Sequence, residues 1–368
     1  MKEITLLQPG KIVFGTGCID KFCDDYLSMG HKRLFLLTVP VIRPMLADAI
    51  QKLESNGVSI EIYENIMQEP TVADFKTTLN AAREFKADSV IGVGGGSVLD
   101  VAKLVATLVN SNQQVEDLFG IGFVKERGRW FACIPTTAGT GSEANPYAVM
   151  TLPDGEQKKT LKYPFTYPRL ALVDPKYTYS LGYEYTVSTA LDAFAHAIES
   201  FLSPSSTLFS EQFALFSAKN IYDVLKGKPS SFSESSREKL AYASCAAGAA
   251  ISVTGTGFPH PLGYSLTLLR GIPHGKACAV FEGHYISLNS KTKQGQERLD
   301  AFFAHLGTNA NELSSLLFEL ADVKISLTED EIIKFVDLIK GAGNYVNSPY
   351  ILTDDEKYDI YRDLFSNN

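Results

Sequence analysis

Four side chains in the middle of the chain have the types and spacing to hold a metal ion. Asp192 and His196 lie in LDAFAHAIES, and His260 and His274 lie in FPHPLGYSLTLLRGIPHG. Asp192 and His196 are four apart in a segment of helical texture, so both leave the same face, one turn apart. One carboxylate oxygen and three neutral imidazoles suit a divalent first-row ion, iron(II) or zinc(II). Such an ion serves as a Lewis acid toward a substrate oxygen. The Asp–His pair taken alone also suits a local hydrogen bond. Three of the six histidines fall in this set. His31, His284 and His305 lack comparable surroundings and read as surface or core positions.

Two glycine-rich turns precede the pair. Gly94, Gly95, Gly96 and Ser97 follow the apolar run SVIGV and open a helical segment carrying Asp100 and Lys103. A strand–glycine–helix junction lets backbone N–H groups approach an anion. The pattern is neither GxGxxG nor GxxxxGK[ST], and a tight strand-to-helix turn has the same composition. The second turn, PTTAGTGSEANPYAVMT (135–151), follows FACI and crowds Thr136, Thr137, Thr140 and Ser142 around Gly139 and Gly141. Helix capping ahead of Glu143 would employ one or two of these hydroxyls. Two such turns after successive strands favour a dinucleotide held at the edge of a parallel sheet.

The elements that must position these groups fall into two textures. The first half alternates: strands at LFLLTV (34–39), VSIEIYE (58–64), SVIGVGGGS (89–97), WFACIPTT (130–137) and RLALVD (169–174), and helices at 70–87, capped by Thr71, and at 98–110. This alternation predicts an α/β domain with a parallel sheet and a Rossmann-like dinucleotide site. Beyond about residue 178 strand-like runs become scarce, and TVSTALDAFAHAIESFLS, SEQFALFSAKNIYDVLKG, REKLAYASCAAGAAISV, 297–306, 310–321 and 328–341 read as helices. The expected domains are 1–178, dinucleotide-binding, and 179–368, all-α and bearing the metal and substrate sites. A length of 368 residues agrees with two domains.

Hydrophobic content of 45% and charge of 21% are those of a globular protein. A net charge of -8 without long basic runs argues against nucleic acid as a partner. No apolar run is long enough to span a bilayer, and the N-terminal segment lacks a signal-peptide pattern, so the expected location is the cytoplasm. The five cysteines, Cys18, Cys23, Cys133, Cys245 and Cys278, form no CxxC pair and read as reduced thiols. Cys278 lies four after His274 and can line the site, but it is not needed as a ligand.

With GGGSVLDVAK, IPTTAGTGSE, DAFAHAIES and HPLGYSLTLLRGIPHG in this order, the chain resembles the iron-containing (group III) alcohol dehydrogenases, from PGKIVFGTGCI (9–19) into the C-terminal helices. The resemblance implies a dehydroquinate synthase-like architecture, NAD(H) or NADP(H), Fe2+ or alternatively Zn2+, and a homodimer. By position it implies that Asp192, His196, His260 and His274 are the metal ligands and that Gly94–Ser97 form the pyrophosphate loop. Asp100, Thr136, Thr137 and Thr140 would line the cofactor, and Lys158 or Lys159 would stand near its ribose. Three departures are visible. Where members preferring NAD often place an aspartate after the strand matching LFLLTV, this chain has Thr38 and Val39, which leaves NADP open. The usual proline of GGGSPxD is Val98. A histidine that many members carry four before the third ligand is Thr256.

The resemblance implies reversible hydride transfer between the nicotinamide cofactor and a small primary alcohol or aldehyde. Phe258, Tyr264 and Phe194 are candidates for shaping the substrate pocket, with core packing the plainer role for Phe194. Arg270 either faces an anionic substrate group or makes a salt bridge, the commoner use of arginine. The rival readings are a zinc polyol dehydrogenase of the glycerol type, a lyase or cyclase of the dehydroquinate synthase type, and a non-catalytic nucleotide-binding protein.

Overall fold

The computed structural model describes residues 4–118 and 128–366. The chain forms two compact units, Leu7–Leu181 and Gly182–Asn368, the latter joined by the first few residues.

In the first unit the chain runs β1 (Ile12–Phe14), α1 (Cys18–Ser28), β2 (Arg33–Leu37), α2 (Ala47–Ser55), β3 (Ser59–Tyr63), α3 (Val72–Glu84), β4 (Ser89–Gly94), α4 (Gly96–Leu108), β5 (Trp130–Pro135), β6 (Tyr147–Thr151), β7 (Lys158–Lys162) and β8 (Leu170–Val173). Six strands pair in parallel in the order β1-β8-β5-β4-β2-β3, while β6 and β7 make a separate antiparallel pair. Alternate residues of β2 enter opposite cores: Phe35 and Leu37 pack with α3 and α4, and Leu34 and Leu36 pack with α1 and α2. A sheet covered on both faces needs such two-sided apolar strands. Helix α4 has no polar face. Val98–Leu108 are all buried, as expected of a helix enclosed on every side. Helix α3 starts at Thr71, whose hydroxyl accepts from the Asp74 amide while the Asp74 carboxylate accepts from the Thr71 amide.

The connection from β2 runs to β3 on one side, and that from the adjacent β4 runs to β5 on the other. That makes a topological switch point between β2 and β4, where doubly wound sheets take ligands at the carboxyl ends of their strands. Thr38 follows β2 and Gly94–Gly96 follow β4, so both expected cofactor segments flank this point.

The second unit is helical: α5 (Tyr183–Leu202), α6 (Leu208–Leu225), α7 (Glu234–Thr254), α8 (Pro259–Arg270), α9 (His274–Ala279), α10 (Glu282–Asn289), α11 (Lys293–Leu306), α12 (Ala310–Ala321), α13 (Glu329–Ile339) and α14 (Asp354–Phe365). Among the described residues no helix is long and apolar enough to cross a membrane. The α/β and helical expectations for the two halves both hold.

Several elements depart from the sequence reading, α1, α2 and β7 among those it did not place. The segment 135–151, expected as a loop, becomes β6 from Tyr147 onward, with Ala148 and Met150 pointing into the core. Strand β1 was not anticipated: three residues are too few to show a period of two.

Candidate active site

Helix α5 presents Asp192, His196 and Glu199 at positions i, i+4 and i+7, all buried. His260 stands in the first turn of α8, which Pro259 opens, and His274 is the first residue of α9. What brings α9 to α5 is Gly275. A Cβ there would lie 1.8 Å from the Ser188 carbonyl oxygen and 2.8 Å from the Asp192 nitrogen. Glycine is thus the residue that lets His274 reach the Asp192 face.

The four expected ligands come together. The Nε2 atoms of His196, His260 and His274 lie 3.6, 3.6 and 3.9 Å from Asp192 Oδ1. A tetrahedral ion with bonds of about 2.1 Å spaces its donors about 3.4 Å apart, close to these three separations from Asp192 Oδ1. Asp192 Oδ1 and His260 Nε2 are buried without a hydrogen-bond partner, an arrangement costly for polar atoms unless something else binds them. The side chains of Asp192, His196 and His260 are 5%, 7% and 4% exposed, and that of His274 is 27% exposed. The open edge of the site is at His274. The group whose donor atoms all lie within 4.8 Å of one another is Asp192, His260, His274 and Cys278, with Cys278 in it and His196 outside it. Cys278 Sγ is 3.8 Å from both His274 Nδ1 and His274 Nε2. A sulfur equidistant from the two nitrogens sits beside the ring, not along the Nε2 lone pair.

Glu199 was not singled out from sequence. Its carboxylate accepts from His260 Nδ1, with oxygens at 2.7 and 2.9 Å, and from the Gly257 amide. A carboxylate on the outer nitrogen of a ligating histidine fixes its tautomer and leaves Nε2 for the metal. The signal that could have found it is the i+7 position, which shares the Asp192 face. Burial disfavours charge on His260, but the Glu199 and Asp192 carboxylates outweigh it and raise its pKa to about 9 in the metal-free protein. Burial likewise opposes charge on Asp192, and the neighbouring imidazoles outweigh it and hold its carboxyl well below the usual range.

The glycine turn is shaped by packing. A Cβ on Gly94 would lie 2.5 Å from Val98 Cγ2, and one on Gly96 would lie 2.8 Å from Thr140 Cγ2. A Cβ on Gly95 meets nothing nearer than Thr137 Cγ2 at 3.5 Å. Helix α4 begins at Gly96 with no side-chain cap, which leaves its first N–H groups available to an anion. Thr137 and Thr140 thus face the turn, and Thr136 is anchored by its amide to the Gly94 carbonyl. Ser97 is half-buried in the first turn of α4. Thr38 is buried with its hydroxyl oxygen unpartnered, while Val39 packs against both cores.

Asp100 does not present a free carboxylate. One oxygen accepts from Ser142 Oγ at 2.6 Å and the other from the Val149 amide at 3.0 Å. Lys103, fully buried, donates to Ser142 Oγ and the Tyr147 carbonyl, each at 2.6 Å. The pair ties α4 to the second glycine-rich turn. This also corrects the capping reading of that turn: Ser142 binds Asp100, and only a three-residue 3-10 turn starts there, without a side-chain cap. Lys158 is engaged by Glu69 at 2.7 Å, whereas Lys159 is exposed.

Two substrate-pocket candidates are engaged within the helical unit. Phe258 is fully buried with its ring edge-on to Tyr285 at 4.8 Å, a core position. Arg270 pairs with Glu331 and lies over the Phe335 ring, so its charge is already matched within the helical unit. Phe194 is core, packed on Phe302. Tyr264 stacks on His274 with centroids 5.9 Å apart, which keeps it beside the open edge.

Comparison with known proteins places this geometry. Residues 9–175 match the iron-containing alcohol dehydrogenase family model, and 186–330 match the C-terminal model of the same family. The chain belongs to the iron-containing alcohol dehydrogenase family. It is 31% identical to long-chain-alcohol dehydrogenase 1 of Geobacillus thermodenitrificans over 82% of this chain and 77% of that protein. The crystal structure of an iron-containing alcohol dehydrogenase from Thermotoga maritima superposes with a TM-score of 0.89 at 32% identity, covering 98% of this chain and 99% of that one. Sulfoacetaldehyde reductase from Bifidobacterium kashiwanohense, solved in complex with NAD+, superposes at 0.90 with 27% identity over the whole of both chains. The protein is therefore a metal-containing oxidoreductase of the alcohol dehydrogenase class, in a family that uses iron and NAD(P). Membership in this family sets aside the lyase and non-catalytic readings.

Proposed function

We propose that the protein catalyses reversible hydride transfer between NAD(H) or NADP(H) and a small primary alcohol or aldehyde, with Asp192, His196, His260 and His274 holding one divalent ion. The observation that carries this reading is the convergence of three imidazole Nε2 atoms on Asp192 Oδ1 in a buried pocket. A divalent ion held there would supply Lewis acidity to the substrate oxygen. The chain's own residues do the rest. Glu199 keeps the His260 proton on Nδ1. Burial of Asp192, His196 and His260 keeps water from three sides, and substrate enters at the exposed His274 edge beside Tyr264.

The uncapped start of α4, with Gly94, Gly95, Gly96 and Ser97, would take the cofactor pyrophosphate, flanked by Thr137 and Thr140. Thr136, Asp100 and Lys158 would support that pocket from their internal contacts. Thr38, with its unpartnered hydroxyl, and Val39 would stand by the ribose. The absence of a carboxylate there supports use of NADP as well as NAD. Iron is the family's metal, and zinc suits the same donors, which keeps the polyol dehydrogenase variant within this reading. Assembly as a homodimer and residence in the cytoplasm belong to the same proposal.

The test is metal analysis of anaerobically purified protein together with NADH and NADPH oxidation against short aldehydes. About one metal per chain with aldehyde-dependent oxidation is expected. No metal and no turnover after adding iron or zinc would refute the ligand assignment. Sedimentation velocity reports the oligomeric state.

A further inference from the structure

A cation stands just beyond the end of β2. Thr38 follows the strand and donates its amide to the Tyr63 carbonyl of the neighbouring β3. The chain then turns: Ile42 and Arg43 donate their amides to the Val39 carbonyl at 2.9 and 3.1 Å. Ile42 and Leu46 are buried in the core shared with α1 and α2, which anchors the turn, while the Arg43 side chain between them is 53% exposed. Arg43 Nη1 donates to Glu64 Oε2 at 2.8 Å. Glu64 follows β3, its side chain is 21% exposed, and its Oε1 is buried with no hydrogen-bond partner among the described residues. The pair is therefore polarised, with the carboxylate inward and the guanidinium outward. The contact uses one of the five N–H donors of the guanidinium.

Strand β4 lies on the other side of β2, with Leu37 opposite Gly92. The turn after Thr38 thus leaves the sheet beside Gly94–Gly96 and the uncapped start of α4, one strand spacing of about 4.8 Å across. In dinucleotide folds a pyrophosphate at such a helix start brings the adenosine ribose to the end of a nearby strand. The group met there decides the cofactor: a carboxylate accepts from the 2′-hydroxyl, whereas an arginine receives a 2′-phosphate. Here the strand ends in Thr38 and Val39, and the charge that meets solvent one turn on is that of Arg43. Glu64 opposes a phosphate less than Arg43 attracts it, because the guanidinium stands nearer solvent. Lys158, the other cation considered for the ribose, is 6% exposed and bound by Glu69 at 2.7 Å. We propose that Arg43, held in place by Glu64, receives the 2′-phosphate of NADP(H) and makes the phosphorylated dinucleotide the preferred cofactor. This role rests on the reading that α4 takes the cofactor pyrophosphate. A guanidinium already pinned on one side loses less freedom on binding, and its fork matches phosphate oxygens in pairs.

The measurement is equilibrium binding of NADPH and NADH to the full chain, followed by nicotinamide fluorescence without substrate, so that no turnover is read. The wild type should bind NADPH at least about 10-fold more tightly than NADH, and Arg43→Gln should weaken NADPH by about 10- to 100-fold, as loss of hydrogen bonds to a charged group does. NADH binding by the variant should stay within about threefold of wild type, because an exposed ion pair contributes little to the fold. Arg43→Lys, which keeps the charge without the fork, should fall between the two. Adenosine 2′,5′-bisphosphate isolates the phosphate: it should displace NADPH from the wild type better than 5′-AMP does, and lose that advantage in Arg43→Gln. Equal weakening of NADPH and NADH in Arg43→Gln would show a structural role and overturn the proposal. Tighter binding of NADH than NADPH by the wild type would overturn it too, and move the decision to Glu64 as a ribose acceptor. Binding of both cofactors with Arg43 indifferent refutes Arg43 alone, whereas a wild type that binds neither refutes the pyrophosphate assignment beneath it.

Discussion

Replacing Glu199 with Gln tests the metal site through a residue that is not a ligand. In the wild type both carboxylate oxygens accept from His260 Nδ1, at 2.7 and 2.9 Å, and one also accepts from the Gly257 amide. The isosteric amide has one acceptor and one donor group. Its NH2 must face either the Gly257 N–H or the His260 N–H, and both are donors. If His260 turns to accept instead, its proton moves to Nε2, the atom that faces Asp192. Losing a hydrogen bond to a charged group in a buried place costs about 1.5–3 kcal/mol. At 1.4 kcal/mol per tenfold, metal affinity should fall about 10- to 150-fold, in line with about 10- to 100-fold for outer partners of metal-bound histidines. The assay is equilibrium competition with a chelator of known affinity, read as metal per chain. A Glu199→Gln protein whose apparent affinity stays within about threefold of wild type would refute the reasoning.

The choice of fourth ligand is separable: Cys278→Ser should keep about one metal per chain and His196→Ala should not, and the reverse outcome would move the site to the cysteine. Lys103→Met removes the cation from a pocket where Asp100 remains buried, which should destabilise the protein by about 3–5 kcal/mol in chemical denaturation; a change below about 1 kcal/mol would show that the network is dispensable. Gly94→Ala places a Cβ on Val98 and should cost about 1–3 kcal/mol of stability, whereas Gly95→Ala has room and should raise the cofactor KM with an unchanged melting temperature; identical effects of the two would count against an anion at Gly95. Burial, aided at Cys18 by Asp174 and at Cys133 by Glu143, pushes both thiols up to about 12. At pH 8 both should therefore stay unmodified by iodoacetamide in the folded protein, by peptide mapping, and react after denaturation; rapid labelling of Cys18 would contradict this.

Much of this protein is legible in one dimension because the relevant periods are local. The i, i+4 spacing of Asp192 and His196 needs only a helix to share a face, and the strand–glycine–helix junction at 89–98 carries its own geometry. The alternation of short apolar runs with helical segments was enough to expect a parallel sheet, since β2 and β4 must be apolar on both faces to be covered on both. Short or weakly patterned pieces escaped: β1 has three residues, and β6 lies inside a run whose glycines and hydroxyls read as loop.

What only the tertiary structure decided is which polar groups meet across long stretches of chain. Asp100 looked like a cofactor residue by position, yet Ser142 and the Val149 amide, more than forty residues on, take both of its oxygens. A salt bridge was the commoner expectation for Arg270, but only the fold shows that its partner is Glu331, sixty-one residues on. Glu199 is an ordinary glutamate in sequence. Its importance comes from burial against His260, because the fold, not the chain order, brings the two within 3 Å. Sequence determines which side chains can do chemistry and which share a local face; desolvation and long-range pairing decide which of them are left with unfilled valence to do it.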